Sequence, residues 1–411
     1  MSENSSRMRH EIDMNSIGIF LFCLYIFISY LANDVLLTSV INTYVLYAFL
    51  GYSVLYVLVK KKLKINSTVK WLALFMVFSL LSMIYSPEKH IFSGTFYFLI
   101  VNFTLVLLLS QYAITKQTIE HIGWTYTISA FSLVLLLAIT GNIFDTSATG
   151  RLGEDLLGNA NILATMLMTS TLYTIWLLVY QNSKKATKLL LLFCLIAEYL
   201  GMFLSGGRKY IVVPLIFLYI LLLFKQDKNG RKHIIKYTLI ILAVVVIVWN
   251  LIMNVPVFYE IIGSRMESFF AFLNGDVSHA DGSSKIRSQM IKMGLERWIQ
   301  SPILGYGFDS FKYYNQSVTG HFYYSHNNFV EILYNTGIIG FVLYYWYYAK
   351  LCFTAWKGRN YISLSARAFS VAMILSMLCF EYGAINYTTT STMIMLLLSS
   401  IMLQDESVRQ V

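Results

Sequence analysis

"IIKYTLIILAVVVIVWNLIM", residues 234–253, decides the fold class: twenty residues with a single charge, Lys236, near the start. A helix of ~20 apolar residues matches the hydrocarbon thickness of a bilayer, and a soluble core has no use for so long a run. Similar stretches recur at approximately 16–33, 37–59, 69–86, 92–113, 120–140, 160–181, 187–205, 209–224, 328–350, 363–381 and 386–403. The composition agrees. Of 411 residues 57% are apolar and 13% charged, where a soluble domain carries about a quarter charged residues. The expectation is an all-α, polytopic membrane protein, a single domain over 1–411 with about 12 transmembrane helices.

Orientation follows from the basic residues, which gather in the loops on one side of this helix set. Placing that side in the cytoplasm leaves the short outside loops only Lys89, Arg151, Arg208 and Lys209, and puts both termini inside. The net charge of +10 therefore reports topology, and no nucleic-acid partner is expected. Polar residues precede the first apolar run, and no small-residue cleavage site follows it. Cys23, Cys194 and Cys379 fall within helices and Cys352 near a cytoplasmic end, so they read as packing residues.

Two outside segments are long. One runs from Gly141 to Asn161; the other, 254–325, is a large extracytoplasmic loop between helices nine and ten. Loops of that length without structure of their own are uncommon. The spacing in "SSKIRSQMIKMGLERWIQSP" predicts an amphipathic helix: Ser283 or Ser284 as cap, Ile286, Met290 and Met293 on one face, and Pro302 as the stop. Ile291, Leu295 and Trp298 widen that face. Such a helix would lie on the bilayer or cap a cavity as an ordered lid. The aromatic cluster "YYWYY" at 344–348 reads as an interface belt in preference to a ligand box.

Charges close to the membrane need a reason. Arg208 and Lys209 sit in the turn of "FLSGGRKYIVVP", on the side where positive charge is disfavoured. They are either a snorkelling pair or an anion clamp, to which Arg151 and Arg287 would add guanidinium groups suited to phosphate oxygens. His326 precedes a helix on whose wheel Val330, Leu333, Gly337 and Gly340 share its face, and the two glycines would admit a neighbouring helix. The imidazole is either a capping group or a general base, with a reference pKa of ~6.5 suited to a hydroxyl. Asn327 and Asn328 are candidate orienters or sugar hydrogen-bonders, and Asn328 with Glu331 also reads as a capping box. No D-x-D, H-E-x-x-H or Walker-type loop is present; the adjacent pair Glu154–Asp155 is a weak metal candidate. No metal and no cofactor are expected, and the chemistry indicated is that of an activated anionic substrate.

Three stretches together resemble the O-antigen ligase and Wzy-type polysaccharide polymerase superfamily of GT-C-like membrane glycosyltransferases. They are "SHNNFVEILYNTGIIGFVLYY", "SSKIRSQMIKMGLERWIQSPILGYGFDSF", and "RLGEDLLGNANILATML" followed by "LSGGRKYIVV". Over about residues 140–345 their order and spacing agree with the family; "SGGRK" departs from it where a polar residue commonly precedes the arginine. The resemblance implies transfer of a glycan from undecaprenyl diphosphate to an acceptor hydroxyl outside a bacterial cytoplasmic (inner) membrane, with inversion and without a metal. It implies that Arg208 and Arg287 hold the diphosphate and His326 activates the acceptor. Partners implied are the undecaprenyl-diphosphate-linked oligosaccharide, membrane lipids, a chain-length regulator and a flippase. Polymerisation of repeat units is the preferred reading, with ligation of finished chains to lipid A core as the alternative. A polytopic transporter or flippase is the reading from another class. Such a protein would place ionisable residues near the midplane, and here only Glu198 is read as a deep carboxylate.

Overall fold

The computed structural model describes residues 2–32, 38–87, 94–140, 151–225, 230–273 and 282–404. Among them the chain is helical and has no strand, as a membrane interior demands of a backbone that must satisfy its own hydrogen bonds. The helices are α1 (Ser2–Leu31), α2 (Thr38–Lys60), α3 (Ser67–Ser82), α4 (Gly94–Leu109), α5 (Lys116–Ile139), α6 (Glu154–Leu157), α7 (Ala160–Tyr180), α8 (Lys185–Leu204) and α9 (Arg208–Phe224). Then follow α10 (Gly230–Asn254), α11 (Pro256–Phe258), α12 (Ser264–Leu273), α13 (Gly282–Trp298), α14 (Phe311–Thr319), α15 (Asn328–Lys357), α16 (Leu364–Glu381) and α17 (Thr390–Gln404). Each of the twelve apolar stretches is helical over most of its described residues. Nine helices among the described residues are long and apolar enough to cross a membrane. Helices α4 and α17 are apolar but shorter, and the 17-residue α9 carries Pro214 in its interior. The chain is a polytopic membrane protein.

Two compact units divide the described helices. The first holds α1, α2 and α5–α11. Its centre is α7, packed against α5, α8 and α9. Small hydroxyl residues let those helices close in. Thr127 and Thr174 share a hydrogen bond of 2.8 Å, and Ser170 and Thr174 each donate to Glu198 at 2.9 Å. Tyr126 and Tyr173 stack nearly parallel, 4.7 Å between centroids.

The second unit holds α3, α4 and α12–α17, with α15 at its centre, touching α3, α13, α14, α16 and α17. The aromatic cluster is not an interface belt. Tyr344, Tyr347 and Tyr348 are buried, Trp71 stacks on Tyr347 at 4.7 Å, and Trp346 alone of the five is exposed, at 65%. The reason is a carboxylate on α16: Tyr345 and Tyr348 donate to Glu381 at 2.8 and 2.7 Å. A buried acidic group needs such donors. Glu198 is therefore not alone, since Glu331 and Glu381 are fully buried too.

Candidate functional site

In the second unit, α13 docks on the first half of α15. Met290 is buried with Phe311 and Tyr334, and a Cβ on Gly294 would lie 2.6 Å from Val330. The apolar face is narrower than its spacing predicts: Ile286 is 45% exposed, while Ile291, Met293, Leu295 and Trp298 are partly buried. Beyond α13 the chain passes along α15 and fills a break in it. Gly337 has φ 62 and ψ −168 inside the helix, a region open essentially to glycine alone. The amides of Ile338 and Ile339 turn outward, donating to the carbonyls of Pro302 (2.9 Å) and Ile303 (3.3 Å), while Tyr306 N donates to Tyr334 O (2.9 Å). Gly337 thus admits not a neighbouring helix but this irregular strip of backbone; its Cβ would lie 2.2 Å from Ile303 O.

These contacts fix a register. From Gly294 beside Val330 to Pro302 beside Ile338, both chains advance by eight residues in the same direction. Arg287 is half-buried and has no hydrogen bond or ion pair among the described residues.

His326 itself lies outside the helix. Its φ of 56 is left-handed, so the wheel of α15 does not extend to it, although Val330, Gly337 and Gly340 are buried as that wheel expects. The cap is Asn327, one residue earlier than the capping box of Asn328 with Glu331 would have it: its side chain accepts from Val330 N at 3.0 Å and donates to Tyr382 O at 3.0 Å. Asn328 Oδ1 accepts from the amides of Asn386 and Tyr387 at 2.8 and 3.1 Å, and its Nδ2 donates to the Tyr345 hydroxyl at 3.0 Å. Both asparagines are buried with these polar atoms engaged. Glu331 accepts from Ser325 N at 2.9 Å and from Asn335 at 3.2 Å. Asn335 Oδ1 in turn accepts from Ser310 N and Phe311 N, closing the start of α14.

Beside this turn lies a pair that motif reading missed. Lys312 Nζ meets Asp309 Oδ2 at 2.6 Å, both side chains buried, with Tyr324 and Thr95 within 3.4 Å. Burial pulls the Lys312 amine down, but the hydrogen bond and charge of Asp309 outweigh it and the net direction is up. Tyr387 stands near, edge-on to Phe308 with 5.5 Å between ring centroids. The i, i+3 spacing of Asp309 and Lys312 was a visible signal.

Arg151 and Arg208 belong to the first unit. Arg151 Nε donates to Ser205 O at 2.8 Å and a terminal nitrogen to Asn161 at 3.2 Å, while Glu154 stands 3.7 Å away. Leu152 N also donates to Leu204 O at 2.9 Å. Arg151 therefore ties down the turn that precedes Arg208, and Glu154, half of the weak metal pair, faces an arginine. Gly206 makes the turn with φ 72, where a Cβ would crowd Ile261 O and Arg151 Nε. Arg208 opens α9 and Lys209 follows, its amine 5.0 Å from the Tyr210 ring centroid. Positive side chains oppose the helix dipole at an N-terminus, whereas an anion there meets free amides and favourable charge. The long outer segment expected over Gly141–Asn161 lies outside the described residues up to 150, as do Lys89 and part of 254–325, residues 274–281.

A search of curated proteins finds no match for the chain. Residues 189–345 match the family model described as O-antigen ligase. The match takes in Arg208, Arg287, Asp309, Lys312 and His326, and leaves out Arg151 and Glu381. Within those bounds, under half of the chain, the protein is similar to the O-antigen ligase family.

Proposed function

We propose that the protein polymerises glycan repeat units, taking each from undecaprenyl diphosphate and passing it to a sugar hydroxyl outside the cytoplasmic membrane, with both termini in the cytoplasm. The observation that carries this reading is a half-buried arginine, Arg287, without an acidic partner among the described residues, on the helix α13 that docks on the first half of α15, the helix His326 precedes. A guanidinium in that state is suited to a diphosphate, whose charge grows as the glycosidic bond breaks. His326 takes the proton of the acceptor hydroxyl as that oxygen attacks the anomeric carbon, and the lipid diphosphate leaves with the bonding pair. Attack opposite the leaving group inverts the anomeric centre. By the family resemblance Arg208, at the start of α9 in the first unit, is a further candidate for phosphate oxygens. No nucleotide, cofactor or metal is needed, because the diphosphate brings its own activation.

The description of the matched family favours ligation to a lipid A core as a second reading. One experiment separates the two. Full-length protein in nanodiscs is given the lipid-diphosphate repeat unit, with or without a lipid A core acceptor, in the presence of EDTA. A ladder of lengthening glycans without the core acceptor supports polymerisation; transfer only when it is added supports ligation. His326→Ala should abolish both, and a normal ladder from that variant would overturn the assigned base.

A further inference from the structure

We infer that Ser325, Asn327 and Glu331 form a clamp that holds the backbone of His326 left-handed and thereby aims its imidazole. The inference rests on the reading of His326 as the acceptor's base. Histidine visits positive φ more readily than bulky residues do, yet such a residue persists only where its surroundings over-determine it. Here both flanking residues are tied. On the N-terminal side, Ser325 N donates to Glu331 and Ser325 Oγ donates across the histidine to Asn327 O, each at 2.9 Å. On the C-terminal side, Asn327 is held by Val330 N and Tyr382 O. Ser325, Asn327 and Glu331 are buried, and His326 between them is partly exposed.

A helix cap alone does not require this. Asn327 supplies the cap, and nothing in capping calls for a buried Glu331 with no lysine or arginine paired to it among the described residues. Burying such a group costs free energy unless its oxygens are satisfied. Glu331 faces two donors at once, Ser325 N and Asn335 Nδ2. Asn335 cannot turn its oxygen round instead, because that oxygen accepts from Ser310 N and Phe311 N. Two acceptor oxygens are what the site asks for, and a glutamine would present a donor to a donor. The clamp thus reaches from the start of α14 through Asn335 and Glu331 to the turn at residue 326.

The test is a stability cycle joined to kinetics on full-length protein in nanodiscs. With the clamp intact, His326→Gly should melt above His326→Ala, because glycine adopts positive φ without a Cβ clash. Adding Glu331→Gln, or separately Ser325→Ala, should shrink or reverse that gap, since residue 326 can then relax. A gap unchanged in both backgrounds would overturn the clamp, whatever the catalytic role of His326. In turnover, Glu331→Gln should lower kcat about 10- to 100-fold, the scale of a misplaced catalytic group, with the donor KM within about twofold. Ser325→Thr, which keeps the hydroxyl, should recover kcat relative to Ser325→Ala. Wild-type kcat in Glu331→Gln and Ser325→Ala, with His326→Ala inactive, would sink the clamp and leave the base in place. Activity in His326→Ala would sink the base, while the melting cycle still decides the clamp. Should Glu331→Gln not fold, Ser325→Ala carries both arms alone.

Discussion

Replacing Gly337 by alanine tests whether the break in α15 holds the outer segment and the membrane helix together. The substitution acts three times at one atom. It puts a Cβ on a residue at φ 62 and ψ −168, which costs ~1–3 kcal/mol. That Cβ would lie 2.2 Å from Ile303 O, 2.4 Å from Ile303 C and 2.6 Å from Leu304 N. All three are backbone atoms that cannot swing aside, and overpacking of this kind costs ~1–3 kcal/mol. Relief by moving the strip 302–306 strains three backbone hydrogen bonds, at Ile338 N, Ile339 N and Tyr306 N, each worth ~0.5–1.5 kcal/mol net. The terms overlap and do not add, so the expected loss is about 3–6 kcal/mol. The control is Gly51→Ala on α2, where a Cβ meets nothing within 4 Å and helix propensity favours alanine by ~0.5–1 kcal/mol. Both variants are heated in one detergent, and the folded fraction is read by fluorescence-detected size exclusion. Gly337→Ala should lose most of its folded fraction at temperatures where Gly51→Ala matches or exceeds the parent. Equal melting of the two variants would refute the account of the break.

Arg287→Lys keeps the charge but loses the guanidinium fork, so donor turnover should fall by tenfold or more; near-parental turnover would show that a point charge suffices. Arg151→Ala removes ties to Ser205 and Asn161 and should lower stability by ~1–3 kcal/mol, measured by thermal unfolding. A change in donor KM with melting unaffected would mark Arg151 as a ligand instead. Asp309→Asn leaves the buried Lys312 amine without its charge partner and should cost about 3 kcal/mol; unaltered melting would contradict this. Because the folded amine is raised above the ordinary 10.5, the pair's contribution is full below pH 10.5 and is lost as pH climbs through the raised value. Stability profiles of parent and Asp309→Asn should therefore converge only above that point.

The apolar segments were legible because length and hydropathy are local properties, and a membrane leaves a backbone few alternatives. The matched family was legible for a related reason: the arginine turn, the amphipathic helix and the histidine opening are short words in a fixed order. Misreadings arose wherever a polar group finds its partner far along the chain. "YYWYY" reads as a belt until Glu381 is seen to collect the hydroxyls of Tyr345 and Tyr348. Asn328 reads as a cap until its oxygen is found on the amides of Asn386 and Tyr387, about sixty positions away. The two glycines, three apart, read as one helix contact. Yet Gly337 is a break, because its meaning depends on backbone at 302–304 that no helical period can foretell.

The same break changes what the outer segment can do. A lid must leave its seat at small cost, and α13 alone could, with Met290 its one fully buried apolar side chain among those on the expected face. The strip after it could not. Lifting residues 302–306 would uncover the amides of Ile338 and Ile339 and the carbonyl of Tyr334, inside a helix whose surroundings offer little water to replace those bonds. It would also separate Tyr306 from Tyr334, which stack at 5.0 Å, and pull Phe308 N from the hydroxyl of Ser82 on α3. The register of α13 on α15 depends on these same contacts. A segment that opened would lose that register at each cycle and have to rebuild it. The strip is better understood as a wall than as a lid. It keeps α13 in register with the first half of α15.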